Sequence, residues 1–154
     1  MAVRVQEENF DIGAEISALR GDRTDIGAIV SFTGTVRDLG GTDHVAAMTL
    51  EHYPGMTERA LAALESDARS RWPLDDCLVL HRCGRLEPGE NIVLVVTLSA
   101  HRQAAFDAAA FLMDDLKTRA PFWKKEETAD GTRWVEARAS DDAAAARWSD
   151  HQAK

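Results

Sequence analysis

No stretch of the 154 residues approaches the roughly 20 consecutive apolar residues of a membrane-spanning helix. The N-terminal MAVRVQEENF lacks the apolar core of a secretory signal, so a cytoplasmic location is the expectation. Cysteine is scarce. Cys77 and Cys83 lie in DDCLVLHRCG, which reads as one strand. Six residues of strand span about 20 Å, against the ~6 Å between Cα atoms that a disulfide allows, so reduced, buried thiols are expected. Their spacing matches no zinc pattern, and His44, His52, His81, His101 and His151 form no ligand-spaced cluster. No metal site is therefore expected. Basic residues are in deficit, 18 Lys and Arg against 26 Asp and Glu, for a net charge of -8. A general nucleic-acid binder needs a basic surface for phosphate, and this balance argues against one. Internal repeats, low-complexity tracts and long linkers are missing too.

What remains is an ordinary globular composition, 45% hydrophobic and 29% charged, in a length that suits one domain. Residues 11–20 read as a short helix stopped by Gly21. Residues 26–37 (IGAIVSFTGTVR) are rich in β-branched side chains and read as a strand. The glycines and aspartates of 38–43 mark a loop, and 45–53 (VAAMTLEHY) a second strand. A helix over about 57–72 follows, with Thr57 as its expected N-cap and Pro73 as its stop. Strands 77–83 and 92–98 are joined through a turn at 87–90. A second main helix covers about 102–117, with Ser99 a candidate N-cap and Ala105, Ala109, Leu112, Met113 and Leu116 its apolar face. Residues 122–128 and 132–136 flank Ala129-Asp130-Gly131 as a hairpin. The alanine-rich 141–148 reads as a short helix or a frayed tail. Together these predict an α+β domain with a mostly antiparallel sheet and two main helices.

The most informative segment is LKTRAPFWKKEE, residues 116–127, which sets Lys117, Arg119, Lys124 and Lys125 close together in an acidic chain. Such a run is usually solvated charge. Here Lys117 adjoins Leu116 at the edge of the apolar face, and Lys124 follows Phe122-Trp123. Lysines beside apolar surface and other cations lose protons more easily, which suits acid–base work. A second constellation, Ser99-Ala100-His101-Arg102, sits at a strand-to-helix junction, where free N–H groups favour an anion. Arg37, ending the strand with Thr35 and Val36, could close over a phosphate. His81-Arg82 and Arg85 form a smaller basic cluster, expected to be solvated. At 1.5 Å per residue an unbroken helix would place Arg102 about 22 Å from Lys117. His101-Arg102 and Lys117 then serve different sites, or one site built across a dimer with the helices running oppositely; the dimer is favoured.

Five segments in order, FTGTVR (32–37), LEHYPGMTERAL (50–61), SAHR (99–102), LKTRAPFWKKE (116–126) and RWVEAR (133–138), resemble the large subunit of molybdopterin synthase. The resemblance spans most of the chain and implies a hammerhead-like α/β arrangement for residues 1–138, with 139–154 an acidic, alanine-rich tail. It implies a cytoplasmic sulfurtransferase of molybdenum cofactor biosynthesis. In that family two large subunits form a central homodimer within a heterotetramer. Each binds a small ubiquitin-like subunit whose C-terminal Gly-Gly thiocarboxylate delivers sulfur to cyclic pyranopterin monophosphate. No metal or redox cofactor is implied, since the sulfur arrives on the partner. The resemblance assigns Lys117 and Lys124 as catalytic. It assigns Thr35, Val36, Arg37, His101, Arg102, Lys125, Glu126 and Arg138 to substrate binding. Position 35 is Thr where related sequences often carry lysine. A non-catalytic adaptor for a ubiquitin-like tail is the main rival reading.

Overall fold

The computed structural model describes residues 2–38, 45–128, 131–135 and 146–148. Its elements run β1 (Ala2–Gln6), α1 (Ile12–Arg20), β2 (Ala28–Thr35), β3 (Val45–His52), α2 (Met56–Arg71), β4 (Leu74–Arg82), β5 (Gly84–Leu86), β6 (Asn91–Ser99), α3 (Arg102–Arg119), β7 (Phe122–Thr128) and β8 (Gly131–Val135). The class is α+β, as the sequence pattern implies. The strands divide between two sheets, ordered β1-β4-β6-β2 and β5-β3-β7-β8, in which only the β1/β4 pair is parallel. Two short strands, β1 and β5, escape sequence reading because their five and three residues become strands only by pairing with β4 and β3.

Why the first sheet forms is legible in its central strands. In β4 and β6, Leu78 and Leu80 stand opposite Val96 and Leu94, while Val79 and His81 stand opposite Val95 and Val93. Alternate side chains leave opposite faces, so both faces of this ladder are apolar and both must be covered. Phe10 with Ile12, Ile16 and Leu19 of α1 covers the first face. Leu61, Leu64 and Ala68 of α2 and Ala109, Phe111, Leu112 and Leu116 of α3 cover the second. Each fully buried leucine contributes roughly 1.5–3 kcal/mol relative to its exposed state. The second sheet shares a smaller cluster, in which Met48 and Leu50 of β3 pack with Val36 and Leu86.

Local caps place the helices. Asp11 accepts the Ala14 N–H at 2.9 Å and starts α1. For α2 the cap is Gly55, at φ 87°, whose N–H donates to the Glu58 carboxylate at 2.9 Å. Thr57, expected as the N-cap, is buried inside the first turn and donates instead to the Pro121 carbonyl at 3.1 Å. That bond ties α2 to the entry of β7. Ser99 likewise does not cap α3. It ends β6, donates to the Pro73 carbonyl at 2.9 Å, and leaves His101 as an N-cap without a side-chain bond.

The turn between β6 and α3 is held by a backbone approach that only glycine permits. The Gly27 N–H donates to the Ser99 carbonyl at 3.0 Å, and a Cβ on Gly27 would lie 2.1 Å from the Ala100 oxygen. Gly27→Ala is therefore expected to cost about 1–3 kcal/mol by forcing β2 away from this turn. Urea denaturation measures it, and an unchanged midpoint would refute the close approach.

Candidate active site

Alternation along β7 sorts the lysine segment. Phe122, Lys124 and Glu126 leave one face, and Trp123, Lys125 and Glu127 the other. The inner face is the first, because Lys124 pairs with Leu50 and Glu126 with Met48, both buried in the small cluster. Lys124 and Lys125 are both half-buried. Lys125 lies outward, with Nζ 5.2 Å from the centroid of the Trp134 ring, and its neighbour Glu127 holds Arg85 at 3.1 Å. The structure thus separates two lysines that are adjacent in sequence.

Lys117 reaches the same region from α3. It is exposed in the last turn, one residue after buried Leu116. The link from α3 to β7 is short and pinned. Arg119 holds Asp115 and Asp67, each at 3.0 Å, and the Phe122 N–H donates to the Ala120 carbonyl at 2.9 Å. His81 lies near the end where both lysines are carried, close enough for their charges to oppose its protonation. Sequence reading left His81 and Arg82 as solvated surface, and the structure corrects this: each is only 6% exposed. The reason is tertiary. Parallel pairing of β1 along β4 covers Arg82, which donates to the Glu7 and Asn91 carbonyls, and Phe122 covers His81. The two rings stack with centroids 3.8 Å apart at 20°. Burial pushes the His81 imidazole down to about 4. A bond from Nδ1 to the Arg82 carbonyl at 2.7 Å opposes this, and Lys124, Lys117 and His52 reinforce it.

Arg37 belongs to this end of the molecule. Val93 of β6 pairs with His81 on one side and Gly34 on the other, so the close of β2 lies in the same row. Thr35 and Arg37 are exposed. Val36 between them is 5% exposed, and its backbone is bonded to Glu90 and Gly89. Its side chain packs with Met48 and Leu50 and anchors its neighbours. His101 and Arg102 are exposed at the far end of β6, where Ser99 pairs with Ala28. From Ala28 to Thr35 is roughly 23 Å of strand. The helix α3 is unbroken, and within one chain it holds Arg102 and Lys117 about 22 Å apart. One end therefore gathers Thr35, Arg37, Lys117, Lys124 and Glu126, and the other presents an uncapped helix N-terminus beside His101-Arg102. Arg138, residues 39–43 of the loop and 149–154 of the tail lie outside the described residues, as do 139–145. The sequence signal for His81 was available, a histidine inside a continuous apolar strand, but without the second sheet nothing showed what covered it.

Fold and site together define a class: a small α+β domain of two sheets, joined at a buried histidine, with a pair of lysines and an arginine at that end. Residues 5–119 match the family model described as MoaE protein. Molybdopterin synthase catalytic subunit from Pseudomonas aeruginosa is 60% identical over 150 residues, covering 97% of this chain and 100% of the relative. The corresponding protein from Escherichia coli is 56% identical over 94% of this chain and 95% of its own length. Among solved structures, the molybdopterin biosynthesis MoaE protein of Burkholderia ambifaria shares 53% identity and a TM-score of 0.82, covering 97% of this chain and 99% of its own. Molybdopterin synthase from Staphylococcus aureus shares 28% identity at a TM-score of 0.79, over 86% of this chain and 95% of its own. The chain belongs to the MoaE family of molybdopterin synthase catalytic subunits. Among the described residues no helix is long and apolar enough to cross a membrane.

The buried imidazole makes stability depend on pH. Its folded value of about 4 lies below the ordinary 6.5, so between these limits the unfolded chain binds a proton that the folded chain refuses. Stability is expected to fall as pH drops from 6.5 towards 4, by up to about 3 kcal/mol from this group alone. His81→Phe should flatten that part of the slope. Urea denaturation at stepped pH reads it, and equal slopes in wild type and variant would contradict the assignment.

Proposed function

We propose that the chain is a catalytic subunit of molybdopterin synthase in which Lys117 and Lys124 carry the chemistry. The sulfur comes from the thiocarboxylated Gly-Gly end of a small ubiquitin-like subunit, and the acceptor is cyclic pyranopterin monophosphate. The observation that carries this reading is the placement of Lys117 in the last turn of α3 and of Lys124 on the inner face of β7, at the same end as Arg37, in a chain of this family. Forming a dithiolene requires activation of carbon centres on the precursor, so protons must move to and from its oxygens. Exposed Lys117 can exchange a proton with solvent and is assigned the acid–base role. Lys124, between Leu50 and Phe122 in drier surroundings, is assigned to stabilise the developing negative charge, which a fixed cation does best out of bulk water. Arg37, with Thr35 beside it, binds the anionic end of the precursor, and Glu126 borders the same face. Lys125 faces outward and supports the strand against Trp134. The cytoplasm is the compartment this reading assigns.

His101 and Arg102 enter through a second copy of the chain. Their separation from Lys117 excludes a shared small ligand within one chain. A two-fold dimer with the two α3 helices antiparallel would set each Arg102 beside the other copy's Lys117. The edge strand β2, with Ile29 38% and Phe32 44% exposed, and Phe106 of α3, 57% exposed, supply apolar surface for such a contact. The phosphate would then sit at the partner's α3 N-terminus, held by His101 and Arg102. Arg138 is assigned to substrate binding on its motif alone. With one small subunit at each end, the assembly is a heterotetramer.

A reconstituted assay tests the lysines. Wild type, mixed with the precursor and a thiocarboxylated small subunit, is expected to form molybdopterin. Lys117→Ala and Lys124→Ala should each lose on the order of a hundredfold or more in rate while still folding and binding the partner. No product from a folded, partner-bound wild type would leave an adaptor role instead. The dimer is tested by co-expressing Lys117→Ala with Arg102→Ala. Mixed dimers contain one intact composite site, so about a quarter of wild-type activity should return. No recovery despite mixed dimers would place both residues in one chain's site or in separate ones.

A further inference from the structure

His81 is absent from the roles assigned above, yet it lies where the two lysine-bearing elements converge. On the sheet it occupies, His81 and Val79 share a face, the one covered by α2 and α3. Phe122 belongs to the second sheet and packs against that same core. Their stack, 3.8 Å between centroids, is thus a direct joint between the two sheets, placed two residues before Lys124 and on the same face of β7. His52, paired with Phe122 across β3 and β7, adds a tilted ring contact at 6.4 Å. Phe122 thus touches two imidazoles, one buried and one partly so.

The protonation of His81 follows from its partners. A carbonyl oxygen only accepts, so the 2.7 Å contact with the Arg82 oxygen puts the ring proton on Nδ1 and leaves Nε2 as a lone pair. A second proton would make a cation in a buried position. The charged groups around it are Lys117 from α3, Lys124 from β7 and His52 from β3, all of which oppose that cation; on its own strand the neighbour is the Arg82 carbonyl. A flat, neutral ring is the one chemical form that stacks on Phe122 without adding charge to the lysine pair.

We propose that His81 is a positioning residue for the lysine pair: its neutral, Nδ1-protonated ring seats Phe122 and so holds Lys124 in place relative to Lys117. The proposal rests on the lysine chemistry assigned above for its kinetic consequence, but not for its structural content. Misplacing a reacting group by about 1 Å commonly costs up to a hundredfold in rate without loss of binding, so the effect belongs in kcat. A residue that merely fills the core would lower stability and leave the folded enzyme's kcat alone.

The experiment has a kinetic arm and a spectroscopic arm, both on the full chain bound to its thiocarboxylated partner. His81→Ala is expected to lower kcat about tenfold or more, with KM for the precursor changed less than about threefold. His81→Phe, which keeps a neutral stacking ring, should recover most of that loss. Adding Phe122→Leu to His81→Ala should cost little beyond either change alone, because both break the same joint. In the second arm, 15N NMR of the histidine rings should find His81 in the Nδ1-protonated neutral form from pH 8 down to pH 5. Lys124→Ala should move its titration upward. Wild-type kcat in folded His81→Ala would overturn the proposal. A ring that titrates near the ordinary histidine range in wild type, or ignores Lys124→Ala, would overturn it as well. If wild type makes no product, the functional reading falls by itself, and the NMR arm still decides whether His81 is held neutral beneath the lysines.

Discussion

Burial of β6 between β4 and β2, with helices on both faces, is the constraint from which the other positions follow. Because both faces of this ladder are apolar, α1 must close one and α2 with α3 the other. Since α3 starts where β6 ends and packs back over the same sheet, its two termini lie at opposite ends of that ladder. His101-Arg102 and Lys117 are therefore apart for the same reason that the core is well packed. Shortening the distance would mean breaking α3 and exposing Phe111, Leu112 or Leu116 to water. A site that needs both ends is more easily completed by a second copy than by deforming one.

The second sheet brings chemistry to the first through few contacts. Thr57 to the Pro121 carbonyl, Arg119 to Asp115 and Asp67, and the His81–Phe122 stack fix the short passage from α3 into β7. All but the Arg119–Asp115 pair, which lies within α3, join residues on different elements. Together they convert a flexible run of cations into one lysine aimed inward, one outward and one at a helix end. Burial makes charge expensive at His81, and half-buried Lys124, beside Leu50 and Phe122, is less screened than a fully solvated lysine.

Several features were legible in the sequence because they are local. The helical period of 102–117, the β-branched run of 26–37, the alternating pattern after Pro121 and the glycine turns all report on the residues that carry them. The cations at 117 and 124 stood out for their apolar neighbours. Other features were not legible, for a common reason. β1 and β5 exist only as partners of other strands. Thr57 and Ser99 read as helix caps, but their hydroxyls find better acceptors in Pro121 and Pro73, which are far away in sequence. His81-Arg82 reads as polar surface until β1 and Phe122 cover it. Val36 reads as a neighbour of the binding loop until its side chain is found packed beneath Met48 and Leu50.

The order of the longer elements, the α+β class, the absence of a disulfide between Cys77 and Cys83, and the family through its five motifs were all determined by sequence alone. These depend on side-chain type and spacing along one chain, and the two cysteines are indeed free and buried. The tertiary structure decided the division into two sheets, the inward turn of Lys124 against the outward turn of Lys125, and the burial of His81 as the joint between them. It also decided that Arg37 shares an end with the lysines while His101 and Arg102 do not. Such relations are set by which strands pair and in what register, and a shift of one residue would reverse every face. Nothing local encodes them; they come from covering two apolar faces at once.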